Sequence, residues 1–247
     1  MCTLIALYRV VPGYDLIVGM NRDEDRTRPS TPPQLIEGTP QIVAPRDARA
    51  GGTWIGVNEQ GLVAALSNRR GAISTTAKSR GLLMFEILRQ PTLRAAAVDI
   101  DREVRANEYN SFNLFVATRD EIRFLSYEGQ VRTSRGHEGL NVLTNAGGNV
   151  EGDLKVATIH ALAGAAKFPD AVAATRWLQS TLRHHGGTET AALCIHGTGG
   201  GTVSSTILAL HNSSAEDHIL LYADGSPSES PYRDFSQLAR SLGSVKP

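Results

Sequence analysis

The chain has 247 residues, with 25 Lys plus Arg against 25 Asp plus Glu and 41% hydrophobic residues. A formal charge of zero gives no support for a nucleic-acid or anionic-membrane partner, and no apolar run approaches the roughly 18 residues of an integral membrane span. Two cysteines, Cys2 and Cys194, are too few for a disulfide framework. With no basic-then-apolar leader, a reducing, cytoplasmic setting is expected.

Leu4 to Val10, a Pro12-Gly13 turn and Leu16 to Met20 read as an antiparallel hairpin that ends in Asn21-Arg22-Asp23-Glu24. Residues 25–41 hold Pro29, Pro32, Pro33 and Pro40 and read as a long loop, of the kind that serves as a lid or binding loop. Arg26, Arg28 and Arg46 are candidates to meet an anionic substrate group there; solvated surface arginines are the plainer alternative. Ile42-Val43-Ala44 reads as a strand, and Gly51-Gly52 lets backbone approach a neighbour closely. Trp54 to Val57 and Leu62 to Leu66 flank a turn and form a second hairpin, with Trp54 as a core or pocket-wall residue.

The period then changes. Leu82 to Leu88 reads as a helix, and Thr92 caps a second one that runs to about Val104. Strands are expected at Phe112 to Ala117, Ile122 to Ser126, Gln130 to Thr133 and Asn141 to Thr144. Helices follow from an Asp153 cap to Ala166 and from Asp170 to Arg183, the latter with Val172, Trp177 and Leu178 as apolar positions. Strands at Ala191 to His196, Val203 to Leu210 and Ile219 to Ala223 precede a short final helix within Tyr232 to Leu242. Repeats and interior linkers are absent, so a single domain over 1–247 is expected. Blocks of strands and helices, rather than strict alternation, point to an α+β fold: two antiparallel sheets face to face, each covered by a helix pair.

The chemistry centres on Cys2. Removal of Met1 would leave a thiol and a free α-amine on one residue. That amine has a reference pKa of about 7.7–8.0, so it can serve as a base near neutrality, and a thiol with an attached base is an activated nucleophile. The first hairpin returns Asn21, Arg22 and Asp23 to its neighbourhood. Apolar strands also end in Ser67-Asn68 and Thr144-Asn145. Side-chain amides donate without titrating, which suits the oxyanion of an acyl-transfer intermediate. Asparagine at a strand end is also a routine turn former, so the weight lies in the recurrence. Gly197-Thr198-Gly199-Gly200-Gly201 lacks the ending of a phosphate loop and reads as a mobile hairpin. The seven histidines lack ligand spacing, so no metal and no cofactor is expected. Cys194 reads as a buried, inert thiol in an apolar strand.

Asn21-Arg22-Asp23-Glu24, Met1-Cys2-Thr3, Gly51-Gly52-Thr53-Trp54-Ile55-Gly56, Ala65-Leu66-Ser67-Asn68, Leu143-Thr144-Asn145 and Ser204-Ser205-Thr206 together resemble the NRDE family, also called the transport and Golgi organisation protein 2 family. That family in turn resembles the N-terminal-nucleophile hydrolases of the choloylglycine and penicillin V acylase type. The resemblance implies a four-layer αββα sandwich, with Cys2 as nucleophile and its own amine as base. It implies further that Asp23 holds the amine and that Asn68 and Asn145 lie near the oxyanion. Arg22 or the protonated amine would supply the positive charge that lowers a thiol pKa, and Asn21, Trp54 and Arg46 are candidates for substrate binding. Two departures stand out. Met20 occupies the place where the acylases carry an arginine, and Val203 stands where many relatives would have one. The implied activity is hydrolysis of a linear amide or related acyl bond in a small molecule; the alternative is a non-catalytic carrier of haem or of a lipid or acyl-coenzyme A ligand.

Overall fold

The computed structural model describes residues 2–71, 73–164, 166–188 and 190–242. Met1, whose removal the expected chemistry at Cys2 requires, lies outside them.

The first sheet is built on the opening hairpin, β1 (Thr3–Val11) and β2 (Tyr14–Asp25). Its other strands are β10 (Gly139–Leu143), which pairs with β1, then β11 (Gly200–His211), β12 (Ile219–Asp224) and the short β13 (Arg233–Asp234). The second sheet runs in chain order through β3 (Ser30–Ile36), β4 (Ile42–Asp47), β5 (Ile55–Asn58), β6 (Val63–Asn68), β7 (Phe112–Ala117), β8 (Ile122–Tyr127) and β9 (Val131–Arg135). All the ladders are antiparallel.

Side chains alternate across a strand, so each sheet has two apolar faces to cover. Leu4, Ala6, Val18 and Met20 of the first sheet meet Val57, Ala65, Phe115 and Phe124 of the second in one buried layer. The opposite face of the first sheet, with Ile5, Leu7 and Ile17, packs against α3 (Leu154–Ala163) and α4 (Ala171–Leu182). The opposite face of the second, with Ala44, Ala64 and Leu114, packs against α1 (Arg80–Leu88) and α2 (Leu93–Ala106). The result is the expected α+β, four-layer αββα sandwich. A last helix, α5 (Ser236–Ser241), is followed by Leu242; Ala239 and Leu242 join the layer between the sheets. Thr92, Asp153 and Asp170 cap α2, α3 and α4 by accepting backbone N–H bonds, as their sequence positions suggest.

Several local expectations need correction. Residues 25–41 are not one long loop, because residues 30–36 form the edge strand β3. Pro32 and Pro33 fall where its register with β4 shifts between Thr31 and Gln34, a place where a missing N–H breaks no ladder bond. Residues 191–196 form no strand; His196 makes only an isolated bridge to Gly201. Gly200 and Gly201 open β11 and pair with Asp25 and Glu24 instead of forming a free hairpin. Val172 is exposed, because α4 buries Ala171, Ala174 and Leu178 instead.

Candidate active site

Cys2 stands at the start of β1, next to the pairing of Thr3 with Asn21 on β2. Cys2 shares the inter-sheet layer with Leu4 and Met20, and Arg22 falls on the same side of β2 as Met20. Asn21 and Asp23 point the other way, toward the α3 and α4 layer. Cys2, Arg22, Asp23, Trp54 and Asn68 line one cavity of 380 Å³, together with Arg28, Asp47, Lys78 and Arg80.

Cys2 as a residue is 7% exposed. Burial pushes the Cys2 thiol up from its usual range, against the lowering effects of the amino terminus, a hydrogen bond from the Asp23 backbone and the Arg22 charge. Burial thus disfavours the thiolate, and attack by Cys2 on a carbonyl calls for a base.

Arg22 is held from two sides. Its guanidinium lies 4.1 Å from the centroid of the Trp54 ring, and Nη2 donates to Asp47 Oδ2 at 3.2 Å. Arg28 Nε reaches the same oxygen at 2.6 Å, while Asp47 Oδ1 accepts the backbone N–H groups of Arg49 and Ala50.

Asp23 is equally buried. Thr202, its partner on β11, donates to Oδ1 at 2.6 Å. Lys155, in the first turn of α3, places Nζ 3.8 Å from Oδ2 and donates to Thr3 Oγ1 at 2.9 Å. Burial raises the Asp23 carboxyl above its usual range, and Lys155, the amino terminus and the Thr202 hydroxyl pull against it.

The two strand-end asparagines meet across the sheets. Asn145 Nδ2 donates to Ser67 Oγ at 3.2 Å and to the Asn68 carbonyl. Both hydrogens of that amide are thereby engaged. Asn145 lines the neighbouring depression of 620 Å³, along with Arg69 and Lys155, and not the Cys2 cavity. Asn113 supports the turn by donating to the Thr144 and Asn145 carbonyls at 3.2 and 2.9 Å.

Two candidates for substrate binding lie elsewhere. Asn21 is fully buried and donates to the carbonyls of Leu182 and Leu193, both at 2.8 Å, so it ties β2 to the end of α4. Arg46 donates to the Gly51 carbonyl at 2.7 Å and lies over the Phe85 ring, outside the cavity. Conversely, nothing local in the sequence marks Lys155, Thr202, Asp47 or Arg80 for this site. Lys155 sits two residues after a helix cap, where a lysine ordinarily reads as a solvated surface charge; only the packing of α3 on the first sheet buries it.

Three solved structures share this architecture. An N-acylethanolamine-hydrolyzing acid amidase ortholog from Caenorhabditis elegans matches with a TM-score of 0.57 at 14% identity, covering 84% of this chain and 92% of that one. Penicillin V acylase from Agrobacterium tumefaciens matches with a TM-score of 0.56 at 12% identity, over 97% and 88% of the two chains. The C2A mutant of conjugated bile acid hydrolase from Clostridium perfringens matches with a TM-score of 0.53 at 12% identity, over 96% and 93%. The fold is that of the N-terminal-nucleophile hydrolases. The chain belongs to the Transport and Golgi organisation 2 family, which it matches over residues 1–215. It is 31% identical over 110 residues to the bovine Transport and Golgi organization protein 2 homolog and 30% identical over 115 residues to the human one. Each alignment covers 42% of this chain and 39% of the relative, so less than half of the relatives' length is matched. Among the described residues no helix is long and apolar enough to cross a membrane.

Proposed function

We propose that this protein, once Met1 is removed, is an N-terminal cysteine hydrolase of a linear amide or related acyl bond in a small molecule. The observation that carries the reading is a buried Cys2 in a cavity shared with Arg22, Asp23 and Asn68. The α-amine of Cys2 takes the thiol proton, and the sulfur attacks the substrate carbonyl. Asn68, whose carbonyl is tied to Asn145, is the amide donor suited to the oxyanion. The tetrahedral intermediate collapses as the α-ammonium passes its proton to the leaving nitrogen, which departs as an amine. A water, deprotonated by the same α-amine, then cleaves the thioester to give the acid and restore the thiol. Asp23, steadied by Thr202 and Lys155, holds the ammonium. Arg22, clamped by Trp54 and Asp47, supplies fixed positive charge to the thiolate side.

The test begins with intact mass, to establish that Met1 is gone. N-acylethanolamines, N-acyl amino acids and penicillin V are then assayed for release of the amine product. Turnover is expected in the wild type and is lost, with the thermal transition retained, in Cys2→Ala. Turnover that persists in Cys2→Ala overturns the assignment. A saturable haem spectrum in a correctly processed protein that hydrolyses none of these amides would fit the carrier alternative instead.

A further inference from the structure

The second cysteine is not solitary. Among the described residues, His185, Cys194 and His196 each offer one ligand atom, and these atoms lie within 4.8 Å of one another. The cluster lies in the segment that follows α4, on connections packed against the first sheet and away from the Cys2 cavity. Cys194 Sγ, 1% exposed as a residue, is 3.8 Å from His196 Nε2, and the rings of His185 and His196 are 5.0 Å apart.

The tautomers point the same way. His196 Nδ1 lies 3.4 Å from Glu229 Oε1, and His185 Nδ1 lies 3.3 Å from the Cys194 carbonyl. Each imidazole thus has an acceptor at Nδ1, which places the lone pair on Nε2; at His196 that nitrogen meets the Ser228 hydroxyl at 3.0 Å, a contact that a bound cation displaces. That is the outer-shell arrangement that orients histidines on a metal. Ser226 and Ser228 hydroxyls flank the sulfur at 3.1 and 3.6 Å.

We propose that His185, Cys194 and His196 form a site for a soft divalent cation of the zinc class, with water in the fourth position. Zinc–sulfur bonds of about 2.3 Å and zinc–nitrogen bonds of about 2.0–2.1 Å set tetrahedral ligand atoms roughly 3.3–3.5 Å apart. The sulfur–nitrogen separation is close to that, and both histidines are exposed, so small ring rotations close the rest. Thiolate and imidazole donors favour zinc over magnesium or calcium. Binding converts the Cys194 thiol to a metal thiolate and releases one proton to solvent. Sequence spacing does not advertise the site, because His185 and Cys194 are brought together by folding.

Cobalt(II) titration of the full-length protein, followed by back-displacement with zinc, tests this. A saturable thiolate-to-cobalt charge-transfer absorption at one equivalent is expected in wild type and in Cys2→Ala, and zinc removes it. Cys194→Ser abolishes it. His196→Ala, at an exposed position where folding is not at stake, weakens binding at least about tenfold, and Glu229→Gln weakens it about 10–100-fold through the outer shell. An absent band in wild type, or a band that vanishes in Cys2→Ala and survives in Cys194→Ser, overturns the proposal.

Discussion

Asp47 gathers two arginines, Arg22 and Arg28, on one carboxylate oxygen. Removing it leaves the buried Arg22 with the Trp54 ring and a longer, 4.0 Å approach to Glu24 Oε2, and loss of one partner of a buried pair costs up to about 3–5 kcal/mol. Asp47→Ala is therefore expected to unfold at a lower urea midpoint with an unchanged slope. Burial pushes the Asp47 carboxyl up, but the Ala50 N–H and the Arg28 guanidinium outweigh it and hold the group below its usual range. A folded-state pKa below the unfolded value, about 3.9, gives stability that is present above that pH and lost as pH falls through the folded pKa. Urea melts across the acid range should thus converge for wild type and Asp47→Asn below that window and diverge above it. Lys155 acts in the opposite sense on a carboxyl that burial has already raised. Lys155→Met removes a charge that favours ionised Asp23, so the Asp23 pKa rises further. If ionised Asp23 holds the amine, the acidic limb of the kcat/KM profile moves to higher pH in that variant. An unmoved limb would separate Asp23 from the reaction.

At the scale of elements, the start of α1 is set by two glycines. A Cβ on Gly52 would lie 2.3 Å from the Gly81 carbonyl carbon, and Thr53 N–H donates to the Gly81 carbonyl at 3.0 Å. The close approach suggested by Gly51-Gly52 in the sequence is thus an approach to the first turn of a helix, and Arg80 beside it lines the cavity. Gly52→Ala must displace backbone, at an expected cost of about 1–3 kcal/mol. It should raise KM more than it lowers kcat, since the cavity wall moves while Cys2 stays on β1. The helices and most strands were readable because Thr92, Asp153 and Asp170 are local caps and the apolar strands have period two. The site was readable where its residues follow an apolar strand directly, as at Ser67-Asn68; Asn21-Arg22-Asp23 reads as a strand end but lies within β2, which runs on to Asp25. Lys155 and Thr202 reach Asp23 from 132 and 179 positions away along the chain, counted from their residue numbers, and no local pattern reports such a meeting. Residues 191–196 misled because their apolar run is covered by the end of α4 without joining a ladder; the Asn21 amide bonds the Leu193 carbonyl there in place of a neighbouring strand.

For the whole molecule, the candidate site draws on both sheets. Cys2, just before β1, joins Asp23 of β2 and its partner Thr202 of β11, while β4 and β6 contribute Asp47 and Asn68. Under the proposed function, contacts between the sheets act on the reaction as well as on stability. Asn21, which does not line the Cys2 cavity, tests the separate question of how firmly the helix layer holds β2. Asn21→Ala leaves two buried carbonyls, of Leu182 and Leu193, without that donor, and about 1–3 kcal/mol for each unsatisfied group is the expected cost. The loss should appear as a lower thermal midpoint, with the thiol's alkylation rate retained below the transition. The prolines of β3 carry a different consequence. As the outermost strand of the second sheet, β3 turns one row of backbone groups away from β4, and Pro32 and Pro33 remove two N–H donors from the strand. A stray chain from a neighbouring molecule finds an interrupted template there. With Pro32→Thr and Pro33→Val together, that margin becomes continuous, and concentrated solutions should scatter light and form polymers that the natural sequence avoids.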